Sequence, residues 1–352
     1  NEGGVKSYLT LNIVLFDEDI EPMKNTIEAA KKAGVTAVIA SDMSAILHSR
    51  KIGMEVHIST QLNISNAESV RYHSEFADVM VLSRELNLIQ IKAISDTILR
   101  DSITGPSGEL VRLELFCHGA LCMAVSGKCY LSLHETGASA NRGNCYQICR
   151  RGYEVTDVET NRQLLVDNKY IMSPKDLSTI EFLDKIIEAG ITVLKIEGRA
   201  RSADYVKTVT SAYRRGVDAY FEGKYDDALK AELKNETAKV FNRGFWDGYY
   251  QGAKLGQWSE VYGNKATKRK IYTGKVTNFF SNLSVAEVLV ETGEFTIGSH
   301  ILIMGPSTGV VELRVDLKSV EKAVKGEYCS IPVKEGVKLR RSDKIYLWND
   351  ID

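Results

Sequence analysis

A chain of 352 residues, 44% hydrophobic and 26% charged, is long enough to bury one large core and a second, smaller one. Lys plus Arg number 45 against 46 acidic residues, which excludes a global positive field as the basis of nucleic-acid binding and leaves only local patches. No apolar run approaches the roughly 18 residues needed to span a bilayer, and the opening NEGGVKSYLT lacks a signal-peptide pattern, so the expected location is cytoplasmic, without a membrane partner.

From Tyr8 a short β-branched run, a turn and a helical pattern recur. The runs are YLTLNIVL (8–15), VTAVIAS (35–41), MEVHIST (54–60), ADVMVLS (77–83), RLELFCHG (112–119) and ITVLKIEG (191–198). Between them lie amphipathic segments such as IEPMKNTIEAAKKAG, with Pro22 suited to a first helical turn and Gly34 to a stop. This alternation predicts an α/β fold with a covered parallel sheet. No Gly-rich turn follows the first strand, which argues against a dinucleotide fold.

Polar residues recur where the strands end: Asn12, Ser41-Asp42, Ser59-Thr60-Gln61, Ser83-Arg84-Glu85, His118 and Glu197-Gly198-Arg199. Each alone reads as a cap or turn former. Their repetition over six strands favours a (β/α)8 TIM-like barrel, which builds its active site from those ends. Six units are two short of eight, and the missing first two are expected before residue 1.

Residues 153–173 alternate like a hairpin around Asn161, and SPKDLSTIEFLDKIIEAG (173–190) reads as a helix starting at Ser173-Pro174. A longer helix is expected from about Ser202 to Phe221, with Val206, Val209, Tyr213, Val217 and Tyr220 in the core. GNKATKRK (263–270) reads as a basic linker, after which IYTGKVTNF, LSVAEVLVE, SHILIMG, TGVVELRV, YCSIPV and KIYLWN are strand-like. The expected domains are therefore a catalytic barrel over 1–262 and a small all-β barrel over 263–352. Cys329 falls in one of these strands as a buried thiol.

The densest chemistry lies between Glu114 and Gly152, which hold five of the six cysteines as Cys117-x4-Cys122-x6-Cys129-x15-Cys145-x3-Cys149. In a large cytosolic chain such a group reads as metal ligands or redox thiols rather than a disulfide framework. Cys145 and Cys149 are close enough for a zinc knuckle, but Cys122 and Cys129 are too widely spaced for one. Broad, uneven spacing favours the separate corners of a 4Fe-4S cube. Zinc and metal-free thiols stay open. Cys117, inside an apolar run, is the cysteine left out.

HGALCMAVSGKCYLS (118–132) followed by NRGNCYQICR (141–150) resembles the signature of the collagenase-like peptidase family U-32. The likeness extends to LSRELNLIQIKAI (82–94), YIMSPKDLSTIEFL (170–183), LKIEGRARSADYV (194–206) and NRGFWDGYY (242–250), and the β-rich tail is similar to the family's C-terminal domain. The resemblance implies an oxygen-independent, 4Fe-4S hydroxylase with Cys122, Cys129, Cys145 and Cys149 as ligands. The branch with one short β tail implies tRNA as the partner, 5-hydroxyuridine at the wobble position as the product and prephenate as the hydroxyl donor. An electron-donor protein is a further expected partner.

Such a reaction must grip a carboxylate and an unstacked base together. Arg84, Lys175 and Arg199 are candidates for the donor's carboxylates, and Glu85, His118, Asp176 and Glu197 for moving protons. Glu197-Gly198-Arg199 reads equally as a salt-bridged strand end. Gln61 and Asn63 suit a base edge, and Arg142, Arg150 and Arg151 suit phosphates, as do Lys265, Lys268, Arg269 and Lys270. The fully ligated cluster would relay electrons or staple the fold, and a released thiolate would expose an iron for the donor. Proteolysis is the alternative. Against it, the chain has no H-E-x-x-H or G-x-S-x-G, and Cys117 and His118 would point to opposite faces of a strand. A third reading is a non-catalytic, metal-stapled protein that binds RNA or a partner.

Overall fold

The computed structural model describes residues 4–154, 156–161, 172–260, 263–317 and 321–351. The chain divides into two compact units. The first comprises Asn1–Glu197, Gly216–Lys230 and Asn242–Asn264, and the second Gly198–Arg215, Ala231–Phe241 and Lys265–Asp352. The last break lies close to the expected boundary at 262, but the second unit also takes in 198–215 and 231–241, which the sequence pattern assigns to the barrel.

In the first unit the strands are β1 (Tyr8–Leu11), β2 (Ala37–Ala40), β3 (Glu55–Ile58), β4 (Val79–Val81), β5 (Arg112–Gly119), β6 (Asp176–Ser178), β7 (Val193–Ile196) and β8 (Phe245–Trp246). All six expected strands form, as β1 to β5 and β7, and they pair in parallel and in sequence order. An order without reversal is that of a barrel rather than of a doubly wound sheet, which reverses at its switch point. Neither ring closure nor a full set of eight βα units appears among the described pairings. The sheet's remaining members are short, and β6 runs antiparallel to β5.

The helices of this alternation are α1 (Ile20–Lys32), α2 (Met43–Lys51), α3 (Ala67–His73) and α4 (Leu88–Arg100). The last three begin where a side chain accepts from the free N–H groups of the first turn: Asp42 caps α2, Asn66 caps α3, and Asn87 with Gln90 forms a capping box on α4. Ile91, Ile94 and Ile98 of α4 and Met23 and Ile27 of α1 face the core, which β2 enters with all four residues buried. Tyr250 is buried beside them and its hydroxyl donates to the Phe116 carbonyl at 2.9 Å.

Beyond the short α5 (Leu131–Thr136), the expected helix from Ser173 is largely replaced. Asp176–Ser178 is extended, and α6 covers only Leu183–Glu188. The Asp176 N–H donates to Gly244 O at 2.9 Å and the Thr179 N–H to Cys117 O at 3.0 Å, so pairing with neighbours distant in sequence outweighs the local Ser-Pro start signal. The hairpin expected around Asn161 falls mostly on residues outside the described set. Helix α7 (Ala203–Phe221) forms as expected, but its stripe is shifted: Tyr205, Val209, Ala212 and Tyr213 are buried whereas Val206 is 42% exposed. Helix α8 (Asp227–Ala238) follows.

The second unit carries β9 (Lys268–Phe280), β10 (Val285–Val290), β11 (Glu294–Thr296), β12 (His300–Gly305), β13 (Gly309–Arg314), β14 (Lys322–Val324), β15 (Tyr328–Pro332) and β16 (Lys344–Asp350). Six of them form one antiparallel sheet in the order β13-β12-β16-β9-β10-β15, and β11 pairs with β14. Alternate residues such as Ala286, Val288 and Val290 face its core, together with Cys329, whose thiol burial pushes up to about 11. Closure into a barrel is not among the described pairings. The basic stretch is only partly a linker, because Lys268, Arg269 and Lys270 open β9 against β16. Lys268 pairs with Asp350 at 3.0 Å and Lys270 with Asp204. Among the described residues no helix is long and apolar enough to cross a membrane.

Tyr250→Phe should lower the unfolding free energy by about 1–2 kcal/mol, since the buried Phe116 carbonyl loses its donor, and urea midpoints read this directly.

Candidate metal and substrate site at the strand ends

The ends of β1 to β4 form a polar rim. The Ser41 hydroxyl lies 3.1 Å from Asn12 O and 3.3 Å from Gln61 Oε1, and the Asn12 amide donates to Ser59 Oγ at 3.2 Å. Asn63 adopts a left-handed conformation (φ +52°), which turns its amide to donate to Gln61 O at 3.0 Å and to Ser126 O at 3.1 Å. Arg84 Nη2 donates to Ser126 Oγ at 2.6 Å. Gly127 follows with φ +69°, and a Cβ there would stand 3.2 Å from that of Gln61. This close approach needs glycine. The loop between Cys122 and Cys129 is thus seated on the rim. Gln61 and Asn63, expected to read a base, help to form that seat, and Asn63 Oδ1 is buried without a hydrogen-bond partner among the described residues.

Two arginines expected to meet phosphates hold the rest of the cysteine segment in place. Arg142 donates to Asp19 Oδ2 at 2.7 Å and Val14 O at 3.1 Å and stacks over Phe16, while Val14 N donates to Asn141 O. Asn141 Oδ1 in turn accepts from Cys129 N. Arg150 donates to Leu121 O at 2.7 Å, Pro174 O at 2.6 Å and Ser173 Oγ at 3.0 Å, so it ties the residue before Cys122 to the approach to β6. Burial, and then the neighbouring Arg243 cation, pull Arg150 below the usual guanidinium range.

None of the six cysteines is in a disulfide. Cys117 is fully buried and donates to Lys195 O at 3.3 Å, and burial drives its thiol far above the ordinary cysteine range. Cys122 and Cys145 are exposed, and Cys129 and Cys149 half-buried. Burial raises the Cys149 thiol, Arg150 opposes this, and the charges of Cys122, Cys145 and Cys129 raise it further. The four thiols therefore share one electrostatic neighbourhood. Yet among the described residues no three His, Cys, Asp or Glu side chains are arranged to hold one metal ion. Four thiols are a donor set that fits a 4Fe-4S cube, which keeps its thiolates on separate irons, and equally a four-cysteine zinc site.

The expected proton-moving residues lie on neighbouring strands. His118 is buried against Phe245 (ring centroids 5.3 Å apart), and its backbone pairs on both edges, with Ser178 and Ile196. Glu197 N donates to His118 O at 2.9 Å. Asp176 is buried and pairs with Arg243 at 3.3 Å. Lys175 donates to Gln257 Oε1 at 3.2 Å, and Glu85 accepts from the Ser83 hydroxyl. Arg84 lies 5.5 Å from the centre of the Phe116 ring, whose other cationic neighbour is Lys195 at 5.4 Å, itself bonded to Glu114 at 2.8 Å. Arg199 belongs to the second unit. Sequence reasoning passes over Arg243, Lys195 and Ser126. A lysine within the apolar VLKI run is a usable signal, and so is an arginine beside the FW pair of β8.

Residues 1–260 match the model of peptidase family U32. A collagenase of Porphyromonas gingivalis is 57% identical over 97% of this chain and 84% of its own length. A tRNA hydroxylation protein of Bacillus subtilis is 32% identical over 86% of this chain and 71% of its own. A 23S rRNA 5-hydroxycytidine synthase of Escherichia coli is 38% identical over 72% of this chain but 38% of its own length.

In metal-free protein, iodoacetamide should label Cys122 and Cys145 first and leave Cys117 and Cys329 unmodified until denaturant is added, as followed by peptide mass spectrometry. Arg150→Met should lower stability by about 2–4 kcal/mol in denaturant titrations, because two carbonyls and a hydroxyl lose a charged donor.

Proposed function

Since the chain belongs to peptidase family U32, we propose that it is an iron-sulfur-dependent, oxygen-independent RNA hydroxylase that forms 5-hydroxyuridine at the tRNA wobble position with prephenate as hydroxyl donor. One observation carries this reading: four thiols of a single segment, Cys122, Cys129, Cys145 and Cys149, are exposed or half-buried, while the fifth, Cys117, is sealed away. The tRNA- and rRNA-hydroxylating relatives support the substrate class. Held by Cys122, Cys129, Cys145 and Cys149, a 4Fe-4S cluster would supply one-electron chemistry at this rim.

The chain's own side chains divide the remaining work. Arg84, anchored through Ser126 and flanked by Phe116, presents a cation to a carboxylate of the donor. Lys175 offers a second, point-like charge. His118 and Asp176 are the groups that hold or move a proton, His118 fixed by strand pairing on both edges and Asp176 by Arg243. Glu85, after β4, and Glu197, after β7, follow the two strands that pair in parallel with β5 and serve as further acceptors. Arg142 and Arg150 act as braces for the cysteine segment. A separate electron-donor protein completes the proposed set of partners.

The collagenase relative keeps proteolysis as a second reading. A thiol peptidase needs an ionisable, accessible cysteine beside a base, and Cys117 is neither accessible nor easily ionised.

Anaerobically purified protein should be brown with about four irons per chain, and Cys122→Ser or Cys149→Ser should abolish both colour and iron. Mass spectrometry of tRNA nucleosides from a strain lacking the gene should show loss of 5-hydroxyuridine, restored by the wild-type chain but not by either variant. A colourless, zinc-loaded protein would sink the cluster. Cleavage of denatured collagen that survives Cys122→Ala would favour the peptidase instead.

A further inference from the structure

The cysteine segment of the first unit borders a cavity of about 410 Å³, within the span of roughly 300–1,000 Å³ occupied by small-molecule sites. Three guanidiniums line it, from Arg150, Arg151 and Arg243, and no carboxylate is among the described lining residues. Arg243 is balanced by Asp176 at 3.3 Å and Arg151 by exposed Glu135 at 3.5 Å. Arg150 differs from both. Its hydrogen bonds among the described residues go to three neutral oxygens, those of Leu121, Pro174 and Ser173. Like charges gathered in a half-buried site repel one another, and a bound anion relieves that repulsion. Cys149, Asp176 and Cys122 lie near enough to offset part of the charge on Arg150, yet the three guanidiniums stand together on one wall and present their remaining N–H donors to the same space.

The rest of the wall suits more than a simple anion. Tyr146, next to Cys145, is 57% exposed and offers a flat ring. Gln147 holds a left-handed backbone (φ +53°) that a non-glycine residue rarely adopts, and its amide side chain has both donors and an acceptor. Guanidiniums for a phosphate, an aromatic face for stacking and an amide for a base edge are the groups by which proteins take hold of an unpaired nucleotide.

We propose that this cavity receives one nucleotide, its phosphate against Arg150, Arg151 and Arg243 and its base stacked on Tyr146. The assignment rests on the RNA reading above and adds the place where the strand is gripped, beside Cys145.

The test is calorimetric titration of the anaerobically purified full chain with uridine 5′-monophosphate, and separately with malonate as a carboxylate probe. The nucleotide should bind saturably and more tightly than malonate. Arg151→Gln and Arg243→Gln should each weaken it about tenfold or more, and Tyr146→Ala about tenfold. Arg151 and Tyr146 are exposed, so those two variants remain informative if loss of the Asp176 partner unfolds Arg243→Gln, and thermal melting checks each. Malonate binding more tightly than the nucleotide would reassign the cavity to a carboxylate and overturn the proposal. So would nucleotide binding indifferent to Arg151→Gln and Tyr146→Ala, or no saturable binding. The readout is independent of hydroxylation: loss of nucleotide binding with 5-hydroxyuridine still made fails only this inference. Binding retained without hydroxylation fails only the proposed function.

Discussion

Ser126 is the residue on which the candidate site depends most. The segment from Gly119 to Arg151 has little regular structure, so its position is set by polar contacts rather than by a ladder or a helix axis. Asn63 holds the Ser126 carbonyl and Arg84 the Ser126 hydroxyl, from the ends of two adjacent strands. Gly127 then lets the backbone pass against Gln61. Charge-assisted bonds in a partly dry site are the strong ones. That is how a loop without its own core acquires a fixed place over the sheet.

Much of this was legible in the sequence, and the reasons are specific. Six β-branched runs separated by helical periods give the parallel strands, because the central ones, β2 to β5, are buried on both faces and leave a continuous apolar signature. The strand-like runs after residue 270 also form, since alternation on a half-buried sheet is a local pattern. Other features depend on partners that no local window contains. Asp176–Ser178 becomes a strand only because the end of β5 and the Phe245–Trp246 pair lie beside it. Arg142 finds Asp19, and Arg150 finds Leu121, across long stretches of chain, so both read in isolation as free surface cations. In α7 the expected Val209 and Tyr213 are buried, but the first turn buries Tyr205 rather than Val206, a choice between neighbours that periodicity alone does not resolve.

The family name and the chemistry of the residues point in different directions, and burial separates them. The cysteine nearest a histidine in sequence, Cys117, is the one most thoroughly removed from solvent, its thiol bonded to a backbone carbonyl inside the sheet. The accessible thiols are the four in the loop. In the proposed reading these four are the ligands, and Arg150, adjacent to Cys149 and bonded to the residue before Cys122, is the cation beside them.

The bonds that seat the cysteine loop involve no metal. Ser126 with Arg84, Asn141 with Val14 and Cys129, and Arg150 with Leu121 and Pro174 are complete within the polypeptide. In small zinc domains, by contrast, the free energy of binding the ion is also the free energy of folding, and a chelator unfolds them. Here the contacts that place the cysteine segment are made by the polypeptide itself, so its seat over the sheet does not depend on bonds to the thiols.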